Sequence, residues 1–217
     1  MQKLFPLILN FEDKKVVIFG GGKVGERKAK FFSKLARVSI VSREFTPSIK
    51  KMAKNGTVEL IQVDLSRNNI EELEGLVKDA FLVIAATNDS KINDEVEEIA
   101  NKYNKLLNKV DDPETQVLIP AIVKKGDIFI AISTLGKSPA MAKYLRKMLQ
   151  QQITLKHARM VKLQTIIRSI LKQKKGDQKS RGKILNSILK DREIWLALEK
   201  SYKKALDLAL ERYIEKY

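Results

Sequence analysis

Hydrophobic residues in the first half of the chain fall into short blocks separated by longer amphipathic stretches. Positions 16–19, 38–41, 58–63, 81–86 and 105–110 are compact and rich in Val, Ile, Leu and Phe, which predicts five strands. Positions 23–35, 47–55, 70–77 and 93–103 carry apolar residues at helical spacing between them. Strand and helix alternate with short connections, so a mostly parallel sheet with right-handed crossovers is expected. After Asp112-Pro113 the rhythm changes. Positions 117–123 and 128–133 read as a hairpin joined through Lys124-Lys125-Gly126-Asp127. Ser138-Pro139 reads as a helix cap with proline at the first helical position, and Met141, Tyr144, Leu145, Met148 and Leu149 follow at helical spacing.

From 150 onward the composition is helical, with one loop expected at 172–183, where Gly176 and Gly182 lie among polar residues. The last segment places Ile194, Trp195, Leu198, Tyr202, Leu206, Ala209 and Tyr213 on one face of a single amphipathic helix. The pattern therefore divides the chain into an α/β part (1–112), a hairpin-and-helix module (113–149) and an all-helical part (150–217).

The first strand runs directly into Gly20-Gly21-Gly22-Lys23-Val24-Gly25, a Gly-x-Gly-x-x-Gly turn that opens a helix. In this strand-to-helix context the motif indicates a Rossmann-type dinucleotide site. Gly20 permits the tight turn, Gly22 lets backbone approach a pyrophosphate, and Gly25 permits close helix–strand packing. Lys23 and Val24 begin the helix, where backbone N–H groups and the helix dipole favour a phosphate. The second strand ends in Ser42-Arg43-Glu44. Ser42 suits a ribose hydroxyl and Arg43 a 2′-phosphate, so NAD and NADP both remain open. Thr87, just past the fourth strand, either lines the ligand crevice or belongs to a cap made by Asn88, Asp89 or Ser90.

Composition narrows the classes. The 217 residues carry a net charge of +16 at a sequence pI near 9.8, and residues 151–217 hold 17 Lys+Arg against 7 Asp+Glu. Such a chain suits a polyanionic partner. Nucleic acid is disfavoured, because the basic tail shows neither a recognition helix nor an aromatic stacking platform. No apolar run reaches the ~18 residues of a membrane span, and the start lacks a signal-peptide core. With no cysteine there are no disulfides, Fe–S clusters or thiolate zinc sites, and a cytoplasmic protein is expected. Ala131-Ile132-Ser133-Thr134-Leu135-Gly136-Lys137-Ser138 resembles a degraded phosphate loop, but Ala131 stands where that motif needs glycine. An NTPase is rejected. A Ser/Lys-bearing helix start suited to a carboxylate or phosphate survives. His157, the single histidine, has no partner cluster and reads as structural; no metal-ligand spacing is found.

At the end of the fifth strand, Asn108-Lys109-Val110-Asp111-Asp112-Pro113 places Asp111 where a carboxylate could accept a proton beside a nicotinamide, although Asp-Asp-Pro also suits a plain turn.

Together these segments resemble the precorrin-2 dehydrogenases. The resemblance is carried by Phe5-Pro6-Leu7, the stretch from Val17 to Lys28, Ala86-Thr87-Asn88-Asp89 with Asn93, Asn108 with Val110-Asp111-Asp112, Ile119-Pro120-Ala121-Ile122, and the stretch from Ala131 to Ala140. It spans about residues 3–150 in unbroken order. It implies NAD-dependent oxidation of precorrin-2 to sirohydrochlorin, a homodimer built through the hairpin module, and a cleft between that module and the nucleotide domain. Asp111 matches the family's essential aspartate and Ser138 a serine facing the tetrapyrrole, and Asn108 is a further candidate for binding the substrate. Lys137, Lys143 and Arg146 flank Ser138 as candidate clamps for the substrate's carboxylates. Two departures stand out: Arg43 keeps NADP open, and Lys109 replaces the family's usual apolar residue. Some relatives also insert Fe²⁺ or Co²⁺, which leaves chelation open here. The competing class is a nucleotide-sensing regulatory module with the basic tail as contact surface.

Overall fold

The computed structural model describes residues 3–65, 70–110, 112–174 and 177–215. The chain divides into two compact units, residues 1–119 and 120–217.

In the first unit, β1 (Lys15–Phe19), β2 (Arg37–Ser42), β3 (Glu59–Gln62), β4 (Leu82–Ala85) and β5 (Leu106–Lys109) form a parallel sheet of order β3-β2-β1-β4-β5. The central strands are apolar at successive positions because both faces are covered. On one face Val17, Phe19, Val83 and Ala85 pack with Leu73 and Val77 of α3 (Ile70–Lys78) and with Val96 and Ile99 of α4 (Ser90–Lys102). On the other, Val16, Ile18, Ile40 and Ile84 pack with Ala29 and Phe32 of α1 (Lys23–Phe32) and Ile49 of α2 (Pro47–Lys54). Alternate strand residues thus feed two cores, each fully buried Ile or Leu stabilising the fold by roughly 1.5–3 kcal/mol.

The segment after β5 turns back along that strand. Val117 donates its N–H to Leu107 O (2.8 Å), and Val117 and Ile119 pack against the second core. The expected strand over 117–123 is therefore shorter. Its first residues belong to the α/β unit, and β6 begins only at Ala121, after Pro120, which has no N–H to give a ladder.

In the second unit β6 (Ala121–Lys125) and β7 (Ile128–Ile132) form an antiparallel hairpin, with Lys125 opposite Ile128. The turn is the two residues Gly126-Asp127, and Gly126 takes φ +56°, which favours glycine there. A Cβ at Gly126 would lie 2.8 Å from Ala158 Cβ, so the turn packs tightly on α6 (Leu155–Gln173). Helix α5 (Pro139–Gln152) starts at Ser138 and Pro139, as the sequence indicates, yet buries none of its residues.

The remaining helices are α7 (Gln178–Lys190), α8 (Arg192–Lys200) and α9 (Tyr202–Tyr213). They close on α6 around Leu163, Ile167, Ile188, Ile194, Leu198 and Ala209. Two expectations change here. The loop expected at 172–183 is short, because Asp177 caps α7 by accepting from Ser180 N (2.9 Å), which carries Gly182 into the helix. The single terminal helix is two, because Ser201 is extended (φ −149°, ψ 123°) and caps α9 by accepting from Lys204 N. The apolar stripe continues across that break, which is why periodicity alone hides it. Among the described residues, no helix is long and apolar enough to cross a membrane.

Leu163 is fully buried at the centre of the helical unit. Leu163→Ala is expected to destabilise that unit by about 2–5 kcal/mol in urea unfolding. A loss under about 1 kcal/mol would contradict this core assignment.

Candidate functional site

The strand order reverses at β1, with β2 on one side and β4 on the other, and ligand crevices of open α/β sheets lie outside the C-terminal ends of strands at such points. A cleft of about 760 Å³ opens there, lined by residues 20–24, 42–46, 64–65, 86–89 and Ile92. It gathers Gly20, Gly22, Lys23, Val24, Ser42, Arg43 and Thr87 in one place.

Its floor is set by backbone contact. Gly20 has φ +119°, and a Cβ on it would lie 2.3 Å from Ala86 O at the end of β4. A Cβ on Gly25 would lie 1.9 Å from Gly20 O, which locks α1 onto the turn from beneath. Gly22 differs: a Cβ there meets no atom within 4 Å. Its lack of a side chain serves open space in the cleft rather than internal packing. Gly22 is also the N-cap of α1 and offers no side-chain cap, so the helix start presents N–H donors and the positive end of its dipole. A cradle that a Cβ would fill, beside uncapped donors, fits a dinucleotide pyrophosphate.

Two residues outside the sequence expectations hold this floor. Thr46 donates its N–H to Gly21 O (3.1 Å), caps α2 by accepting from Ile49 N (3.2 Å), and donates its hydroxyl to Glu26 Oε2 (2.6 Å). Glu26 also pairs with Lys30. The Lys30 ammonium, then the Thr46 hydroxyl, bring the Glu26 carboxyl down to about 2. The Thr46-Pro47 pair carries a readable cap signal; the Glu26 contact depends on tertiary structure.

The wall after β4 is held by Asn93, which is 8% exposed. Its Oδ1 accepts from Thr87 N (3.1 Å) and lies 2.8 Å from Thr87 Oγ1, while its Nδ2 donates to Thr87 O (3.2 Å). Thr87 thus lines the cleft with its side chain turned into the loop, and of the three candidate caps Asp89 is the one that caps α4. At the β2 end Arg43 is largely exposed, its Nε 3.9 Å from Glu44 Oε1.

Beyond β5 the sequence-predicted residues fare differently. Asp111 lies outside the described residues. Asn108 is buried, its Oδ1 accepting from Lys28 Nζ (3.0 Å) and its Nδ2 donating to Val117 O (2.7 Å). Its amide therefore ties α1, β5 and the returning segment together. Lys109 meets three carboxylates, those of Asp94 (2.6 Å), Glu97 (2.6 Å) and Asp112 (3.6 Å), and the first two raise its pKa further above the ordinary lysine value.

In the second unit, Ser138 accepts from Met141 N (3.3 Å) as the α5 cap, and its own N–H and C=O are bracketed by Thr134 Oγ1. Lys137 is exposed beside it, and Arg146 donates to Gln150 Oε1 (3.2 Å). His157 is structural in its contacts: its Nδ1 accepts from Thr154 N (3.1 Å) in a capping box, and its ring lies 5.3 Å from that of Trp195.

Comparison with known proteins agrees with the cleft. A family model described as "Putative NAD(P)-binding" matches residues 7–121. The chain is 42% identical over 208 residues to the precorrin-2 dehydrogenase of Methanosarcina barkeri, a match covering 96% of this chain and 92% of that protein. The chain belongs to the precorrin-2 dehydrogenase family. The siroheme synthase of Nitrosococcus oceani is 30% identical over 217 residues, and the match spans 44% of that longer protein. A solved structure described as SirC, precorrin-2 dehydrogenase, aligns over 99% of this chain and 100% of its own with a TM-score of 0.74 at 23% identity, which shows the family's fold. The Rossmann-type sheet, the hairpin and the helical region are all shared.

The glycines give a sharp contrast. Gly20→Ala is expected to cost about 3 kcal/mol in thermal unfolding through strain and overpacking. Gly22→Ala is expected to keep wild-type stability yet weaken NADH binding, read by fluorescence titration, roughly tenfold or more. Equal NADH affinity in Gly22→Ala and wild type would contradict the cradle. Glu26 gives a pH signature. A lowered carboxyl favours the fold when ionised, so its stabilisation is complete above its ordinary value of 4.5 and lost as pH falls toward about 2. The melting-temperature difference between wild type and Glu26→Gln should shrink over that window. A difference constant with pH would rule out the charge of Glu26 as its source.

Proposed function

We propose that this chain catalyses NAD-dependent dehydrogenation of precorrin-2 to sirohydrochlorin. The observation that carries the reading is the 42% identity to a precorrin-2 dehydrogenase over 96% of the chain. The cleft supports it by offering the dinucleotide cradle that a hydride acceptor requires.

The proton and the hydride take separate routes. NAD held in the cleft would supply the acceptor for the hydride that the macrocycle loses. The protein's residues do the rest. Gly22 and the N–H groups of Lys23 and Val24 hold the pyrophosphate, and Ser42 meets the adenosine ribose. Glu44 stands on the same cleft edge as Arg43 and sets negative charge against a 2′-phosphate, which favours NAD over NADP. Asp111 takes the proton released as the ring system is oxidised. Asn108 acts through β5 by holding the returning segment. Lys137, Ser138 and Arg146 meet the substrate's carboxylates, and a chain of charge +16 suits a polycarboxylate. The enzyme works in the cytoplasm.

The chain works as a homodimer. The hairpin turn packs on α6, but α5 buries none of its residues in the single chain. Phe129, Leu135, Met141 and Tyr144 are 46%, 51%, 45% and 61% exposed around it, an apolar face of the kind a second copy covers.

Anaerobic incubation of the protein with precorrin-2, supplied with NAD⁺ or NADP⁺, tests the reading by absorbance. NADH should form with NAD⁺, and Asp111→Ala should keep NADH binding while losing at least about 100-fold in turnover. Added Fe²⁺ or Co²⁺ tests chelation in the same cuvette. Cofactor binding without turnover would favour the nucleotide-sensing module instead, and full activity in Asp111→Ala would remove Asp111 from the mechanism.

A further inference from the structure

The loop from Ala86 to Asp89 walls the cleft on the β4 side of the Gly-rich turn, and its hydrogen bonds are unevenly spent. Ala86 N donates to Phe19 O (2.8 Å) at the top of the sheet. Every polar group of Thr87 is committed within the protein. Its N–H donates to Asn93 Oδ1 (3.1 Å) and its C=O accepts from Asn93 Nδ2 (3.2 Å). Its hydroxyl lies 2.8 Å from Asn93 Oδ1 and 2.9 Å from Asp89 O, and accepts from Asp89 N (3.2 Å). Asp89 Oδ1 in turn accepts from Lys91 N (2.9 Å) as the cap of α4. Asn88 differs. It is exposed, it lines the cleft, and among the described residues its side-chain amide makes no hydrogen bond.

An asparagine amide offers two N–H donors and one carbonyl acceptor in a single plane. The order of groups along the cleft decides what that amide meets. Gly22 and the start of α1 suit a pyrophosphate, and Ser42, Arg43 and Glu44 on the β2 side suit the adenosine half of a dinucleotide. The other half then falls on the β4 side, against Asn88. Its ribose diol both donates and accepts at adjacent oxygens, which is the complement of a neutral amide. We propose that Asn88, in place of Thr87, is the cofactor-binding residue of this wall, its amide bonding the hydroxyls of the nicotinamide ribose. Asn93, 8% exposed, fixes the Thr87 backbone beside it, so the Asn88 amide is presented from a loop that is already held. The inference rests on the dinucleotide placement in the dehydrogenase reading above.

The test measures the affinity of wild type and Asn88→Ala for three probes: NADH, ADP-ribose and ADP. ADP-ribose keeps the second ribose without the nicotinamide, and ADP lacks both. Asn88→Ala should bind NADH and ADP-ribose roughly 5- to 30-fold more weakly, the loss of one or two hydrogen bonds, with ADP within about twofold of wild type. Its melting temperature without ligand should match wild type, because the side chain is exposed. Unchanged NADH affinity in Asn88→Ala overturns the assignment alone. So does an equal loss for all three probes, which would mark a general disturbance of the cleft. A loss for NADH with ADP-ribose unchanged overturns the ribose as the group bound. A wild-type protein that binds no NADH overturns the dehydrogenase reading and this inference with it.

Discussion

The close approach of three backbone segments at the top of the sheet is the constraint on which the rest depends. Gly20, Gly25 and Ala86 come together without room for a Cβ on either glycine. That contact sets the height of α1 over β1, and so the place where its uncapped N–H groups point. It also brings the end of β4 against the turn, which makes the loop from Ala86 to Asp89 a wall of the same cleft. A single methyl at Gly20 or Gly25 would push these segments apart, and the cradle would open with them. Gly22 is the exception that gives the arrangement its use, since its empty side faces the cleft.

Around this contact, hydrogen bonds do what further packing cannot. Thr46 ties the turn to α2, Asn93 ties the loop after β4 to α4, and Asn108 ties α1 to the segment after β5. Each is a polar side chain engaged by backbone or by another side chain, so each holds a loop with little loss of desolvated polar area. The edge of β5 follows the same logic. Thr115 and Gln116 satisfy its backbone groups in place of another strand, which also blunts an edge that could pair with a second chain. Charge is arranged to match: Lys30 pairs with Glu26 on α1, and Lys109 at the end of β5 pairs with Asp94 and Glu97 on α4.

Much of this was legible in the sequence wherever the deciding interaction is local. β4 is apolar at every position and β1 at all but Lys15, so their bounds fall within a residue of those expected, and Ser138-Pro139 announces α5. The glycine spacing locates the cleft before any coordinate is known. What escaped is non-local or masked by a continuing pattern. The apolar stripe from Ile194 to Tyr213 runs through Ser201 without a gap, so the break shows only in that residue's extended backbone. Val117 and Ile119 are apolar enough for a strand, and only their contact with the second core reveals another role. Two partners of Lys109, Asp94 and Glu97, lie on α4, which no local spacing connects to β5. His157 sits where a capping box ordinarily has Glu or Gln, so its role reads poorly from sequence.

The most direct measurement is a crystal structure of the protein grown with NAD⁺. The pyrophosphate should lie over Gly22 at the N-terminus of α1, with the adenosine ribose at Ser42 and the nicotinamide toward the ends of β4 and β5. A dinucleotide bound elsewhere, such as in the cleft beside Lys15, Arg37 and Glu59 at the N-terminal ends of β1, β2 and β3, would contradict the placement on which the mechanism is built.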